Sequence, residues 1–270
     1  MSLTYVAQQL MITVGITLIT IGLIGNSINV LVFSSSIHYR KSSCAFYLLM
    51  SAVFNIIYIS MNYIPRFVSQ VSKYDLLRYS ILWCKMRSFG VITFPLITLT
   101  CSCLATIDQY LSTSQNVHLR RLSQIKLARR MVILLTVVWT IHGVAPLVFN
   151  NISPSQTCES AHFGYNLYRI FYLLGLITTI PSSIMILFGY LTYRNLHQTR
   201  VLLQQQADRQ LIRMIFIQVA LDLICIVPYG LISAYLSITS KMNKDTNRQI
   251  IENFILTLLT LLTYFYYTVC

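Results

Sequence analysis

Residues 83–113 read WCKMRSFGVITFPLITLTCSCLATIDQYLST, opening on Trp83-Cys84-Lys85 and closing on Ile107-Asp108-Gln109-Tyr110-Leu111. Between the ends the run is apolar through Val91, Phe94, Leu96, Ile97, Leu99 and Leu104. A helix needs roughly 20 residues to cross a bilayer, so this charge-poor stretch can span while tilted, with Asp108 near one water boundary. One end carries a cysteine and the other an acid.

The whole chain has the same character. Of its 270 residues 56% are hydrophobic and 10% charged, with a mean hydropathy of +0.64. That leaves too little polar surface to coat a soluble globule, so most of the exterior must face lipid and the lipid bilayer is the first partner. The formal charge of +13 invites a nucleic-acid reading. Nucleic-acid binders, however, gather basic groups on one hydrated face, whereas here they sit in short segments between apolar runs. No nucleic acid is expected.

Outward from the central run, seven apolar stretches cover about 10–33, 43–68, 81–113, 127–149, 167–193, 209–236 and 249–270. The first is too long for the 7–15-residue core of a signal peptide. The predicted fold is an all-α bundle of seven transmembrane helices in one domain. Distinctive residues fall in a fixed order. Gly25-Asn26 lies in run one, Asn55 in run two, Trp139 and Pro146 in run four, Pro181 and Tyr190 in run five, and Asp222 with Cys225-Ile226-Val227-Pro228-Tyr229 in run six. Each has a bland reading as well, since bundles satisfy isolated polar groups and tolerate prolines.

Taken jointly, that order resembles the rhodopsin-like (family A) G-protein-coupled receptors, and most of all the divergent FMRFamide-type neuropeptide receptors of invertebrates. The strongest single element is the 24-residue interval (108 minus 84) from Cys84 to Asp108 followed by Tyr110. Asp108-Gln109-Tyr110 stands where the family has D-R-Y, without its arginine. Asn55 occupies the place of the aspartate that helps bind sodium, so a cation is disfavoured there. Ile226 replaces the tryptophan of C-W-x-P-Y. The family tyrosine expected eight residues after Pro181 is Gly189, with Tyr190 next to it. The chain stops about where N-P-x-x-Y would begin, before an eighth helix.

The resemblance implies a disulfide between Cys84 and Cys158 in the following outer loop. That bridge would close about 75 residues and contribute ~4 kcal/mol in the chain-entropy view. Cys44, Cys101, Cys103, Cys225 and Cys270 lie in apolar runs and read as packing residues. No CxxC pair, HExxH or Walker-type loop is present, so an enzyme reading, a metal and a cofactor have no chemistry to rest on. Asn151-Ile152-Ser153 is a glycosylation sequon, weakened by Pro154. Arg40, Lys41, Arg120, Arg121, Lys126, Arg129, Arg130, Arg194, Arg200, Arg209 and Arg213 fall on one side. The opposite basic set, with Lys73, Arg78 and Lys241, is diluted by Asp75, Glu159, Asp245 and Glu252. The N-terminus is therefore expected outside a plasma membrane.

Function follows as expectation. A peptide or small-molecule ligand would bind between the outer helix ends and shift helices five and six, opening an inner face to a heterotrimeric G protein. Arg66, Lys85, Arg87 and Arg169 are candidate ligand contacts; snorkelling toward headgroups is their alternative. Val91 holds the slot 17 positions before Asp108 where amine receptors carry an aspartate, which argues against an amine. The last run has no lysine for retinal. Candidate switch residues are Asn55, Asp108, Gln109, Tyr110, Pro181, Tyr190, Asp222, Ile226 and Pro228. Asp108 is expected to turn to Arg120 or Arg121, and Asp222 to Thr98, Ser102 or Asn55. A signalling-deficient ligand sink or dimer partner is the competing reading. A transporter is a third, without the paired broken helices that would support it.

Overall fold

A computed structural model describes residues 3–72, 80–153, 158–160, 162–198, 206–240 and 242–270. Lys73, Asp75, Arg78, Pro154, Arg200, the Gln204-Gln205 pair and Lys241 lie outside the described residues. Seven helices among those described are long and apolar enough to cross a membrane: α1 (Leu3–Ser35), α2 (Ser43–Val71), α3 (Ile81–Thr113), α4 (Ile125–Phe149), α5 (Gly164–His197), α6 (Arg209–Ile238) and α7 (Thr246–Val269). The chain is a seven-helix bundle. Two strands, β1 (Asn151–Ile152) and β2 (Cys158–Glu159), pair antiparallel between α4 and α5.

The third helix is the pillar. Of its most apolar window 72% is buried, against 17–50% for the other six. Its residues explain this, because apolar and small hydroxyl side chains alternate around every face: Ile92, Leu96, Leu99, Cys103 and Ala105 with Thr93, Thr98, Ser102 and Thr106 are all buried. Two of these hydroxyls, Ser102 and Thr106, do not need water, since they donate to the carbonyls of Thr98 and Ser102 one turn back.

Prolines shape the other helices. A proline removes the bond to the carbonyl four residues back and crowds it, and each of Pro65, Pro181 and Pro228 follows a widened, π-helical turn: Ile59–Tyr63, Tyr172–Thr179 and Asp222–Ile226. In the second of these, Thr178 and Thr179 donate to the carbonyls of Leu173 and Leu174, five residues back. The fourth helix breaks at Gly143. A Cβ there would collide with the Thr93 hydroxyl, so glycine sets the approach of α4 to α3.

A chain of buried amides and hydroxyls joins four helices at mid-depth. Asn26 Nδ2 donates to the carbonyls of Gly22 (2.8 Å) and Tyr267 (3.1 Å). Asn55 Nδ2 donates to Asn26 Oδ1 at 3.2 Å, and the Thr98 hydroxyl donates to Asn55 Oδ1 at 3.0 Å. The amide at position 55 is thus engaged by protein partners at both its nitrogen and its oxygen. On the lipid side of α3, Trp139 Nε1 donates to the Thr100 hydroxyl at 2.9 Å, which holds α4 against the pillar.

Replacing Asn55 with leucine leaves Asn26 Oδ1 and the Thr98 hydroxyl without that partner in a dry interior. The expected cost is about 1–3 kcal/mol. Thermal denaturation of the detergent-purified protein would read it; an unchanged melting temperature means these bonds do not hold the helices together.

Candidate functional site

Cys84 at the start of α3 and Cys158 in β2 form a disulfide with Cα atoms 5.7 Å apart. This bond pins the hairpin across the end of the bundle. The remaining cysteines, Cys44, Cys101, Cys103, Cys225 and Cys270, are buried and take no part in a disulfide. Beneath the hairpin lies a cavity of about 410 Å³ among α3, α5, α6 and α7. Its lining is set by helical periodicity. Ser88, Val91 and Ile92 come from one face of α3, Tyr165, Arg169 and Tyr172 from one face of α5, and Tyr229, Ser233, Leu236 and Ser237 from α6.

Arg169 is the one charged side chain among the described lining residues, and its guanidinium donates to the Ser237 hydroxyl at 3.3 Å. Val91 borders the cavity and no acid does among the described lining residues, so an ammonium would find no counter-ion among them. Hydroxyls, phenols, the Asn150 amide and one cation favour carbonyl or carboxylate groups beside aromatic rings. An aromatic ladder braces the α5 side. His142 is hydrogen-bonded to the Tyr168 hydroxyl, Tyr165 and Tyr168 rings are 5.7 Å apart, and the Tyr172 hydroxyl donates to the Ile92 carbonyl at 3.2 Å. None of these tyrosines was among the sequence candidates. Their spacing, three residues and then four, marks a single helical face and was available as a signal.

The other basic candidates lie elsewhere. Arg87 donates to Asn62 Oδ1 at 3.0 Å on α2, Lys85 lines neither this cavity nor its neighbour, and Arg66 borders a separate cavity between α1, α2 and α7. Asn151 sits exposed in β1, with its Oδ1 accepting from the Ile152 N–H.

At the opposite end, Asp108 and Gln109 are buried, at 7% and 5% exposure. The polar groups that bear on Asp108 are the Ser123 hydroxyl and the Cys44 backbone N–H, which corrects the expectation of Arg120 or Arg121. Those arginines belong to the exposed segment around the short helix Val117–Arg120, where water solvates them better than a half-dry carboxylate could. The Tyr110 ring lies 5.5 Å from Phe188 of α5.

Asp222 is fully buried at the start of the α6 π-turn. Its Oδ2 accepts from Ser182 at 2.5 Å, while Oδ1 has no hydrogen-bond partner among the described residues. This corrects the expected partners. Asn55 and Thr98 are bonded to each other, Ser102 bonds its own helix, and the turn at Pro181 presents Ser182 to α6 instead. Pro181 itself accepts a bond from the Cys103 thiol. Ile226 is buried in the main apolar cluster. Tyr190 is corrected as well. It is 62% exposed, because one residue past Gly189 turns the side chain about 100° off the inward face.

The profile described as 7 transmembrane receptor (rhodopsin family) matches residues 25–269. The chain belongs to this receptor family. A search of curated proteins returns no match. As a rhodopsin-family receptor it is a multi-pass plasma-membrane protein, and the family is one of receptors rather than enzymes. Its seven-helix bundle and its Cys84–Cys158 disulfide accord with that family.

Replacing Ser182 with alanine strips Asp222 of its described partner and should cost about 1–3 kcal/mol, whereas Asp222→Asn keeps an acceptor toward Ser182 and should cost under about 1 kcal/mol. Equal melting temperatures for parent and Ser182→Ala would show that the α5–α6 contact does not depend on this bond.

Proposed function

We propose that this rhodopsin-family receptor binds an extracellular peptide in the cavity under the disulfide-pinned hairpin, with its N-terminus outside the cell. The observation that carries the reading is the lining itself, in which Arg169 stands among hydroxyls and tyrosines and is the one charged group among the described lining residues. A peptide offers carbonyls, carboxylates and aromatic side chains to such a surface, whereas an amine does not. Within the family, the FMRFamide-type neuropeptide receptors are the ones it most resembles.

Ligand binding would rearrange α5 and α6, whose π-turns and prolines lie between the cavity and the inner end. A heterotrimeric G protein is the proposed partner there. Coupling is expected to be weak. Gln109 can hydrogen-bond but carries no charge, so it cannot supply the arginine that the family presents to the G protein. That same residue supports the second reading, a ligand sink that binds without signalling.

Nucleotide exchange on a purified G protein, stimulated by peptides from a secreted-peptide library, separates the two. Receptor function requires at least one peptide that raises exchange, and binding without exchange favours the sink. Gln109→Arg should raise ligand-driven exchange several-fold in receptor that reaches the surface; an unchanged rate would show the substitution is compensated elsewhere. Asp222→Phe places an apolar ring at the α5–α6 contact and should shift basal exchange. Parent-like basal exchange would remove Asp222 from the switch.

A further inference from the structure

Tyr39 reaches across the end of the bundle opposite the disulfide. It sits on the short helix Ile37–Lys41 that joins α1 to α2, and its hydroxyl donates to Gln210 Oε1 of α6 at 2.9 Å. The turn that carries it is fixed on both sides. Arg40 N–H donates to the Ser36 carbonyl at 3.0 Å and Ser42 N–H to the Tyr39 carbonyl at 3.1 Å, while Ser42 Oγ caps α2 by accepting from Ala45 N–H. Tyr39 is therefore held to α1 and α2. Its ring also meets Phe33 of α1 edge-on, with centroids 5.4 Å apart.

Beneath that bond the closure is apolar. Leu211, the next residue of α6, and Ile215 one turn further on are buried in one cluster with Phe33, Tyr47 and Leu48, and half-buried Tyr39 packs against it. Gln210 is exposed, so the bond crosses the water side of the cluster. Its place along α6 matters most. Gln210 lies twelve residues (222 minus 210) before the π-turn Asp222–Ile226, about 18 Å along the helix. A swing of α6 about that turn displaces Gln210 far more than Asp222, so the Tyr39 bond breaks while Ser182 still holds Asp222. No described ion pair fastens this end.

We infer that Tyr39 is a strap that holds α6 closed, tying its far end to α1 and α2 in the resting bundle. Opening this end releases the Tyr39 hydroxyl and uncovers Leu211 and Ile215. The inference rests on the receptor reading only for what closure keeps out, a G protein. The movement itself is measured without one, so strap and signalling fail separately.

The test is hydrogen exchange of the full chain in phosphatidylcholine nanodiscs, read by mass spectrometry without ligand or G protein. Tyr39→Phe keeps the ring and removes the donor, and Gln210→Ala removes the acceptor. Each should speed exchange of the backbone amides in 209–221 about 3-fold, and the double variant should do no more than either alone. Tyr39→Ala, which also loses the edge contact with Phe33, should reach about 10-fold. Amides in 227–238, beyond the π-turn, should keep the parent rate. Parent-like exchange in both Tyr39→Phe and Gln210→Ala, or effects that multiply in the double variant, overturns the strap. A rise that spreads equally to 227–238 overturns it in favour of a general loosening of α6.

Discussion

The hydrogen bonds that run from the Tyr267 carbonyl through Asn26 and Asn55 to Thr98 tie α7, α1, α2 and α3 together where lipid can offer no substitute partner. Between membrane helices the hydrophobic effect supplies little attraction, because lipid tails are as apolar as leucine, so close packing and such bonds must do the holding. Packing here depends on the same place. A Cβ on Gly22 would come within 2.9 Å of Ile59 on α2 and 3.1 Å of Thr268 on α7. Glycine lets α1 approach both, and that approach brings Asn26 within reach of Asn55 and Tyr267. The polar chain and the small residue are one device.

The α5–α6 side is built differently. It is broken by two π-turns and two prolines, and the described polar links across it are Ser182 to Asp222 at mid-depth and Arg169 to Ser237 at the outer end. Outer ends are fastened more firmly. Glu252 on α7 accepts from Lys244, Arg248 and the Tyr235 hydroxyl of α6, at 2.5, 2.9 and 3.0 Å. These contacts fasten α6 to α7 at the mouth, while the π-turns that break α6 and α5 lie at mid-depth. Rearrangement of α6 therefore costs least below the mouth.

The sequence was most informative where a constraint is local. Helix positions follow from apolar length, and the Cys84-to-Asp108 interval marks the pillar, because both depend on consecutive residues. The disulfide became legible through family resemblance rather than spacing. Partnerships across helices were not legible, as Asp222 and Asp108 illustrate. Three of the groups expected near Asp222 are already bonded elsewhere, and which hydroxyl remains depends on the phase of α5 after its π-turn. An insertion of that kind rotates every following residue, and nothing in residues 172–179 announces it except Pro181 two positions on. The cavity lining was half legible. Val91 and Arg169 were anticipated, whereas the tyrosines of α5 were read only as an apolar run although their spacing places them on one face.

Asp108 and Asp222 show how the electrostatics of this bundle have been rearranged. Family members place a carboxylate on helix two and pair the acid of D-R-Y with the adjacent arginine. Here position 55 is an amide, the acid on α6 meets a hydroxyl, and Asp108 meets a hydroxyl and a backbone N–H. No described ion pair holds the inner half. Hydrogen bonds between neutral groups contribute about 0.5–1.5 kcal/mol and those to a charged group about 1.5–3. A contact made by hydroxyls and amides holds a resting arrangement less firmly than a charged pair with ideal geometry. Under the proposed receptor function, weaker holding would favour spontaneous opening, yet the residue that would exploit it is Gln109, which lacks the charge to engage a partner. The two departures oppose each other. Loss of the arginine removes both the lock and the key, so a loosened bundle need not be a more active one.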